Sequence, residues 1–437
     1  MLGHFFELAL RSFKKNIVLT SLMVVAIGVG VGASMTMITV LHVLTGDPLP
    51  GRSETLFTPH VDPLPINYKK DPASIEPSDL FTYPDAMALL DARKADRQAA
   101  MAGASLPLTM ERAQFRPFTV QGRFTTSDFF PMFGLQIEAG QAWSDAEDKA
   151  RARVVVLSNS LSRKLFGSET PVGQTIRLSD HAFTVIGVTK AWAPKPMFYA
   201  DPNSKVFGEP DAFFLPLSTA IDQNLPADAS FTSWSTDPVE NFMTDARTSW
   251  LQFWVQIGSA EGQARYLEFL RNYSSEQKRL GRFERPAESA RLYTLADWVQ
   301  HENLVPRDVH LQAILAVAFL AVCITNIMAL LLTKFMKRTG EVGLRRALGA
   351  SKSAIMIQFS IEALMIGIGG GALGILAAEF GLWIVRQRPD DYAKLAQMDI
   401  EMISMTIVLS IISALVAGLL PAWRISRVPA ALQLKEG

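Results

Sequence analysis

The residues best suited to chemistry lie in a basic segment, residues 334–358, between two strongly apolar runs. One acid, Glu341, stands against six cations, which are Lys334, Lys337, Arg338, Arg345, Arg346 and Lys352. Because lysine and arginine beside membrane-spanning helices stay on the cytoplasmic side, we expect this segment to lie inside the cell. Two kinds of chemistry suit it: ion pairing with a partner protein, or contact with anionic lipid headgroups. The charge pattern alone leaves both open.

A short helix is predicted within this segment. It begins at Thr339 or Gly340, carries Glu341 in its first turn and ends before Gly349, which is suited to a C-cap. Its apolar positions are Val342, Leu344 and Leu348, and its cationic positions are Arg345 and Arg346. These positions cannot all share one stripe, so the helix offers both an apolar and a cationic face.

Two acidic residues, Glu362 and Glu379, interrupt the apolar run that follows. Charge at membrane depth is costly and raises a functional hypothesis. We expect Glu362, one turn into its helix, to have a structural role near the headgroups, bonded to the short helix. Glu379 is expected to face a cavity or to reach outward. Four glycines between them predict close packing against a neighbouring helix, and they are Gly367, Gly370, Gly371 and Gly374.

The elements that position these residues follow from hydropathy. Four apolar runs are each long enough to cross a hydrocarbon core, which needs about 20 residues, and they are Ile17–Val43, Leu311–Leu332, Ile355–Val385 and Met402–Ala422. The predicted order is a cytoplasmic interfacial helix (1–15), a first span (16–45), an extracytoplasmic domain (46–308), a second span (309–333), a cytoplasmic coupling helix and loop (334–354), a third span (355–386), a short external loop (387–400), a fourth span (401–423) and a cytoplasmic tail (424–437). Both termini are expected in the cytoplasm.

The block between the first two spans is predicted to be a large α+β domain. Prolines and mixed charges replace the long apolar runs, and Arg153–Leu157 reads as a buried strand before a short helix, Ser160–Phe166. A second strand and helix follow in Leu251–Ile257 and Glu261–Gly281. We interpret the proline- and aspartate-rich stretch Trp192–Ser249 as an insertion or flexible subdomain.

Composition limits the function. A formal net charge of zero over 437 residues gives no global field that would attract nucleic acid. Cys323 is the single cysteine, so a disulfide within the chain is impossible and a cysteine-based metal site is not expected. The six histidines show no ligand spacing, so no metal ligand is predicted. The chain has no G-x-x-x-x-G-K-[ST] string and no G-x-S-x-G nucleophile motif, so we predict no ATP site, no catalytic residue and no enzymatic activity of its own.

Two stretches resemble known families. EVGLRRALGAS from Glu341, with QFSIEA from Gln358, is similar to the cytoplasmic signature of FtsX-like ABC transporter permeases. The resemblance implies that the short helix docks on a separate ATPase through Glu341, Val342, Gly343, Leu344, Arg345, Arg346, Leu348, Gly349 and Ala350. FTYPDAMALLDAR from Phe81 and the sequence from Val120 to Val188 resemble the MacB-like periplasmic core domain. At Gln141 and Ala142 the chain departs from the arginine that members of that family often carry.

The resemblance implies a permease subunit of the bacterial inner membrane. A partner ATPase dimer would bind ATP and Mg²⁺, and a second permease chain, identical or paralogous, would complete eight spans. ATP-driven motion at residues 341–350 would tilt the second and third spans and move the external domains. Three functions stay open: export of a peptide, antibiotic-like or lipid-linked substrate with a periplasmic adaptor and outer-membrane channel, regulation of a cell-wall hydrolase, and release of lipoproteins.

Overall fold

The computed structural model describes residues 17–68, 79–111, 115–167, 170–201, 204–236, 238–304, 307–389 and 391–427. The chain divides into two compact units. One, the membrane unit, comprises Met1–Gly46 and Val305–Gly437, and the other, the external unit, is Asp47–Leu304. The predicted interfacial helix at residues 1–15 lies outside the described residues.

The helices of the described residues are α1 (Ile17–Thr45), α2 (Tyr83–Ala92), α3 (Phe129–Phe133), α4 (Asp145–Lys149), α5 (Asn159–Phe166), α6 (Leu217–Asp222), α7 (Ala260–Arg279), α8 (Leu295–His301), α9 (Arg307–Met336), α10 (Thr339–Ala347), α11 (Lys352–Arg386) and α12 (Ile400–Arg427). The strands are β1 (Leu56–His60), β2 (Phe81–Thr82), β3 (Arg97–Thr109), β4 (Phe118–Thr125), β5 (Ile137–Gly140), β6 (Val154–Ser158), β7 (Thr175–Leu178), β8 (His181–Thr189), β9 (Phe213–Pro216), β10 (Thr232–Ser233), β11 (Thr248–Gln256) and β12 (Arg291–Thr294).

Four helices of the described residues are long and apolar enough to cross a membrane: α1, α9, α11 and α12. At 1.5 Å per residue, the 29 residues of α1 extend about 44 Å and the 35 residues of α11 about 52 Å, against a hydrocarbon core of about 30 Å. Helix α11 packs against both α1 and α12, and α9 packs against the same two helices. The predicted four-span membrane fold with an α+β domain between the first and second spans is confirmed.

The external unit is built on a mixed sheet. Its strands run in the order β12-β1-β11-β3-β4-β9-β6-β8-β5. The pairs β4–β9 and β6–β8 are parallel, while β3 pairs with both β4 and β11 in antiparallel register. Aromatic rings form part of its core, with Phe133 and Trp254 each edge-on to Phe198 at 5.4 and 5.0 Å between ring centroids.

The interpretation of Trp192–Ser249 as an insertion is wrong. This stretch supplies β9, which lies in the middle of the main sheet between β4 and β6. It also supplies Tyr199, whose ring is fully buried and stacks on Trp192 at 5.2 Å between centroids. The proline and aspartate content indicated a separate piece, yet the short strand Phe213–Pro216 is buried at every position because both of its edges are paired.

Candidate coupling site

Helix α10 connects the second and third spans and ends in a defined cap. Glu341 lies in its first turn, and Arg345 and Arg346 lie in its last. These charges interact favourably with the helix dipole. After the C-cap residue, Gly349 adopts φ +99°, a conformation that costs glycine little. The amide of Gly349 donates to the Arg346 carbonyl at 3.1 Å and that of Ala350 to the Arg345 carbonyl at 3.0 Å. These two bonds form a Schellman cap, so the helix ends where the sequence predicted.

A buried ion pair joins the second span to the third. The side chains of Lys334 on α9 and Glu362 on α11 are each 1% exposed, and Lys334 Nζ lies 2.5 Å from Glu362 Oε1. Arg338 Nη1 lies 3.2 Å from the other oxygen, Oε2. The Lys334 ammonium also lies 3.4 Å from the hydroxyl of Thr20 on α1. One carboxylate is therefore held by two cations, and the lysine connects it to the first span.

The same network continues into α10. Arg338 Nε contacts Glu341 Oε2 at 3.2 Å, and Arg345 Nη2 contacts Glu341 Oε1 at 2.6 Å. Arg345 Nη1 donates to the side-chain oxygen of Gln358 on α11 at 2.9 Å. Charged hydrogen bonds are stronger than neutral ones. Helix α10 is thus bonded to α11 through Arg345 and, at its N-cap, through the contact of Arg338 with Glu362.

The apolar face of α10 is divided between two environments. Val342 is 6% exposed and belongs to the core of the membrane unit, which also holds Phe335 and Phe359 with ring centroids 4.1 Å apart. Gly343 is buried as well. Leu344 and Leu348 are 54% and 80% exposed. The proposed docking set therefore splits into residues that seat the helix and residues that face outward.

The structure also revises the expected role of Arg345. The sequence suggested that both arginines of α10 pair with acids of a partner, but Arg345 is bonded to Glu341 and Gln358 within this chain. Arg346 is partly exposed. Lys334, Arg338 and Gln358 were not predicted as site residues, although the lone Glu362 carboxylate at membrane depth was a signal that a nearby cation must compensate it.

The four glycines of α11 lie at close approaches to two neighbours. A Cβ placed on Gly367 would lie 2.9 Å from the Cβ of Ala414 on α12, and one on Gly370 would lie 2.4 Å from Ile27 on α1. A Cβ on Gly371 or Gly374 would meet Ser410 or the Gly28 carbonyl oxygen at 3.4 and 3.5 Å, which are ordinary van der Waals distances. The hydroxyl of Ser410 donates a hydrogen bond to the Gly367 carbonyl oxygen at 2.7 Å. The absence of side chains brings α11 against both helices.

Glu379 lies in a different setting from Glu362. Its side chain is half exposed and pairs with Arg386 of the same helix. Arg386 also donates to the carbonyl of Ala396 at 2.9 Å, in the connection that leads to α12. Glu379 is therefore neutralised near the end of α11.

The external unit has a cavity of about 410 Å³ whose charged lining includes Arg93, Asp128, Asp148 and Lys149. Asp148 is buried, and burial raises the pKa of its carboxyl to about 6 against the hydrogen bonds that it accepts from Ser218 and Ser127. A cavity of this size is within the range of small-molecule sites. No sequence pattern indicated it, since its lining extends from Tyr83 to Ser218.

Comparison with known families bears on both units. The model of the MacB-like periplasmic core domain matches residues 20–264, more than half of the chain, and that of the FtsX-like permease C-terminal matches residues 313–430. The chain belongs to the MacB-like ABC transporter permease family. It is a membrane protein with a MacB-like periplasmic domain.

Curated relatives each match somewhat more than half of the chain. It is 26% identical over 247 residues to the macrolide export ATP-binding/permease protein MacB of Bdellovibrio bacteriovorus, covering 56% of this chain and 33% of the relative. It is 27% identical over 264 residues to the protein of the same name from Salmonella paratyphi A, covering 60% and 35%. The chain thus spans about a third of the length of these relatives.

Among solved structures, the periplasmic region of MacB from Actinobacillus actinomycetemcomitans is similar with a TM-score of 0.37 and 15% identity, covering 59% of this chain and 96% of that one. The extracellular domain of the ABC-type transporter YknZ from Gram-positive bacteria is similar with a TM-score of 0.35 and 15% identity, covering 55% and 99%.

Proposed function

We propose that this chain is the permease subunit of an ABC exporter in which a separate cytoplasmic ATPase drives motion of the external unit. The observation that carries the proposal is the seating of α10. Val342 packs into the core of the membrane unit and Arg345 donates to Gln358 of α11, while Leu344 and Leu348 face away. A helix that is held on one side and exposed on the other is suited to receive force from a partner.

The ion pairs supply a route for that force. A displacement of α10 acts on Arg338 through Glu341, and Arg338 shares the Glu362 carboxylate with Lys334. Helices α9 and α11 therefore move with α10. The external unit is continuous in sequence with α1 at one end and α9 at the other. Movement of these spans would change the placement of both ends of that unit.

The proposed partner binds ATP and Mg²⁺, since the 437 residues contain no P-loop motif. The likeness to proteins named for ATP binding and macrolide export supports an exporter, and we propose a peptide, antibiotic-like or lipid-linked substrate. We place α10 and both termini in the cytoplasm, from the positive charge of residues 334–352. A periplasmic adaptor and an outer-membrane channel are further proposed partners.

We also propose a second permease chain beside the first. Asn326, a polar residue in the middle of α9, is exposed on the single chain. Polar side chains at membrane depth commonly hydrogen-bond to another helix. A second chain against α9 would supply such a partner and would bring the number of spans to eight.

Substitution of the exposed leucines tests the docking role. Leu344→Asp and Leu348→Asp place a charge on the outward face, whereas Leu344→Met and Leu348→Met keep it apolar at similar volume. Each variant is purified in mild detergent with its ATPase, and ATP hydrolysis and ATPase recovery are measured. We expect the aspartate variants to lose stimulation and recovery at least about tenfold, since an interface anchor contributes about 1–2 kcal/mol or more. The methionine variants should behave as the parent.

Normal stimulation in both aspartate variants would contradict docking through this face. Gly343→Trp and Glu341→Lys test it less cleanly, because Gly343 is buried in the membrane unit and Glu341 pairs with two arginines. If a cell-wall hydrolase were recovered together with the ATPase, the result would favour a regulator of that hydrolase over an exporter.

A further inference from the structure

Four titratable side chains from three distant segments meet in the external unit. His60 ends β1, Asp79 lies two residues before β2, and His301 and Glu302 lie at the carboxyl end of α8. His60 Nδ1 lies 2.9 Å from Asp79 Oδ1. His301 Nε2 lies 3.7 Å from Asp79 Oδ1 and 3.9 Å from Glu302 Oε1. One ligand atom each from Asp79, His301 and Glu302 lies within 4.8 Å of the others.

The surrounding structure fixes the two imidazoles. The ring of His301 stacks on Tyr293 with centroids 4.8 Å apart and an interplanar angle of 21°. His60 packs edge-on against the ring of Tyr293, with centroids 6.1 Å apart. Helix α8 is anchored by Trp298, whose indole nitrogen donates to the Phe198 carbonyl at 3.1 Å. The positions of the two imidazoles are therefore set by packing against Tyr293 and by the anchoring of α8, as well as by contacts among the titratable groups.

Asp79 is the deepest member of the cluster, and its hydrogen bonding is incomplete. Its side chain is 1% exposed. A carboxylate can only accept hydrogen bonds, so Nδ1 of His60 carries a hydrogen and donates a hydrogen bond to Oδ1 of Asp79. The second oxygen, Oδ2, is buried and has no hydrogen-bond partner in the part of the chain that the structure describes. Buried polar atoms are seldom left unpaired, so this oxygen indicates a ligand.

We propose that Asp79, His301 and Glu302 bind a divalent transition-metal ion, with Zn²⁺ as the representative of the class. Ligand atoms about 2.0–2.1 Å from a tetrahedral zinc ion are about 3.4 Å from one another. The 3.9 Å between His301 Nε2 and Glu302 Oε1 is about 0.5 Å above this value, and the ligand atoms of the three residues all lie within 4.8 Å of one another. Three protein ligands leave the fourth position to water.

The donor set selects the metal. Calcium and magnesium prefer sites made of oxygen ligands, whereas an imidazole beside carboxylates suits zinc and its neighbours in the first transition row. His60 takes the supporting role that hydrogen bonds to ligating carboxylates commonly have, since its Nδ1–H orients Asp79 and leaves Oδ2 to the metal. The His301 side chain is one third exposed, so an ion can enter from solvent.

The test uses the full chain in mild detergent, stripped with a chelator and titrated with Zn²⁺ or, as a control for metal class, Mg²⁺. We expect one zinc ion per chain and a rise in Tm with zinc alone. His301→Ala and Glu302→Gln should each weaken zinc binding by about 100-fold or more, and His60→Ala by about 10–100-fold. Bound Co²⁺ should give the intense visible absorption of a four-coordinate site.

The matched control is His181→Ala. His181 lies in the same unit, bonded to Gln223 at 3.0 Å and remote in sequence from the cluster, so this variant should bind zinc as the parent does. Circular dichroism establishes that each variant is folded. Failure of the parent to take up zinc, or equal affinity in the parent and in both folded ligand variants, would overturn the proposal.

Discussion

The two units each bury a carboxylate, and they compensate it differently. The side chains of Glu362 in the membrane unit and Asp79 in the external unit are both 1% exposed. Glu362 contacts Lys334 and Arg338. Asp79 contacts histidines and keeps one oxygen unpaired among the described residues. The membrane unit thus pairs its carboxylate with a lysine and an arginine, whereas the external unit places its carboxylate beside two imidazoles.

These two sets of contacts suit different tasks. A carboxylate bonded to a lysine and an arginine joins neighbouring helices, which fits a mechanical connection. A buried carboxylate with one oxygen unpaired among the described residues fits ligand binding. Asp148 of the external unit is a third case, because it accepts hydrogen bonds from the neutral donors Ser127 and Ser218.

The largest effect is expected from Glu362→Gln. This variant keeps the shape of the side chain but leaves the buried ammonium of Lys334 without its carboxylate. Removing one partner of a buried ion pair costs about 3–5 kcal/mol. We expect the midpoint of thermal unfolding in detergent to fall strongly and ATPase stimulation to disappear.

Glu379→Gln is the matched control on the same helix. Its side chain is half exposed, and exposed pairs contribute about 0–1 kcal/mol. An equal loss of stability in the two variants would contradict this expectation, because it would mean that burial does not distinguish the two carboxylates.

An intermediate effect is expected from Asp148→Asn. Burial raises the pKa of Asp148 from its ordinary value of 3.8 to about 6. Between these values the folded state holds more protons than the unfolded state, so this carboxyl lowers the free energy of unfolding as pH rises. The difference between these two pKa values corresponds to at most about 3 kcal/mol.

We therefore expect the stability of Asp148→Asn, relative to the parent, to increase between pH 4 and pH 7 by up to about 3 kcal/mol. Denaturant unfolding followed by tryptophan fluorescence measures it, since six of the eight tryptophans lie within Asp47–Leu304. A difference that stays constant with pH would show that neutral donors stabilise the charged form of Asp148 as well as water does.

The smallest effect is expected from Thr20→Val, which removes one hydroxyl from the Glu362 network at nearly constant volume. Lys334 keeps its contact with Glu362 at 2.5 Å and loses only the 3.4 Å contact with Thr20. One such hydrogen bond contributes about 1 kcal/mol. Thermal unfolding of Thr20→Val and of Glu362→Gln, measured side by side, compares the two losses of stability. If the two losses were equal, the contact with the first span would contribute as much stability as the contact between Lys334 and Glu362.

The candidate coupling site was predicted only in part, for a geometric reason. The short helix, its Gly349 cap and its two-faced character follow from local spacing. Which apolar residue faces inward does not, because Val342 and Leu344 are equally apolar and only the packing of α9 and α11 decides between them. The same packing turned Arg345 toward Gln358.

Local features could be predicted from the order of the residues: four apolar runs, the positive charge of the connection and the strand at Arg153–Leu157. Hydrophobic length and backbone propensity act over neighbouring residues and can be read in order. Only the tertiary structure placed β9 in the middle of the sheet, joined Lys334 to Glu362, and brought His60, Asp79 and His301 together. Contacts between residues far apart in the chain leave no pattern in the sequence, because the folding of the chain sets the distances between those residues.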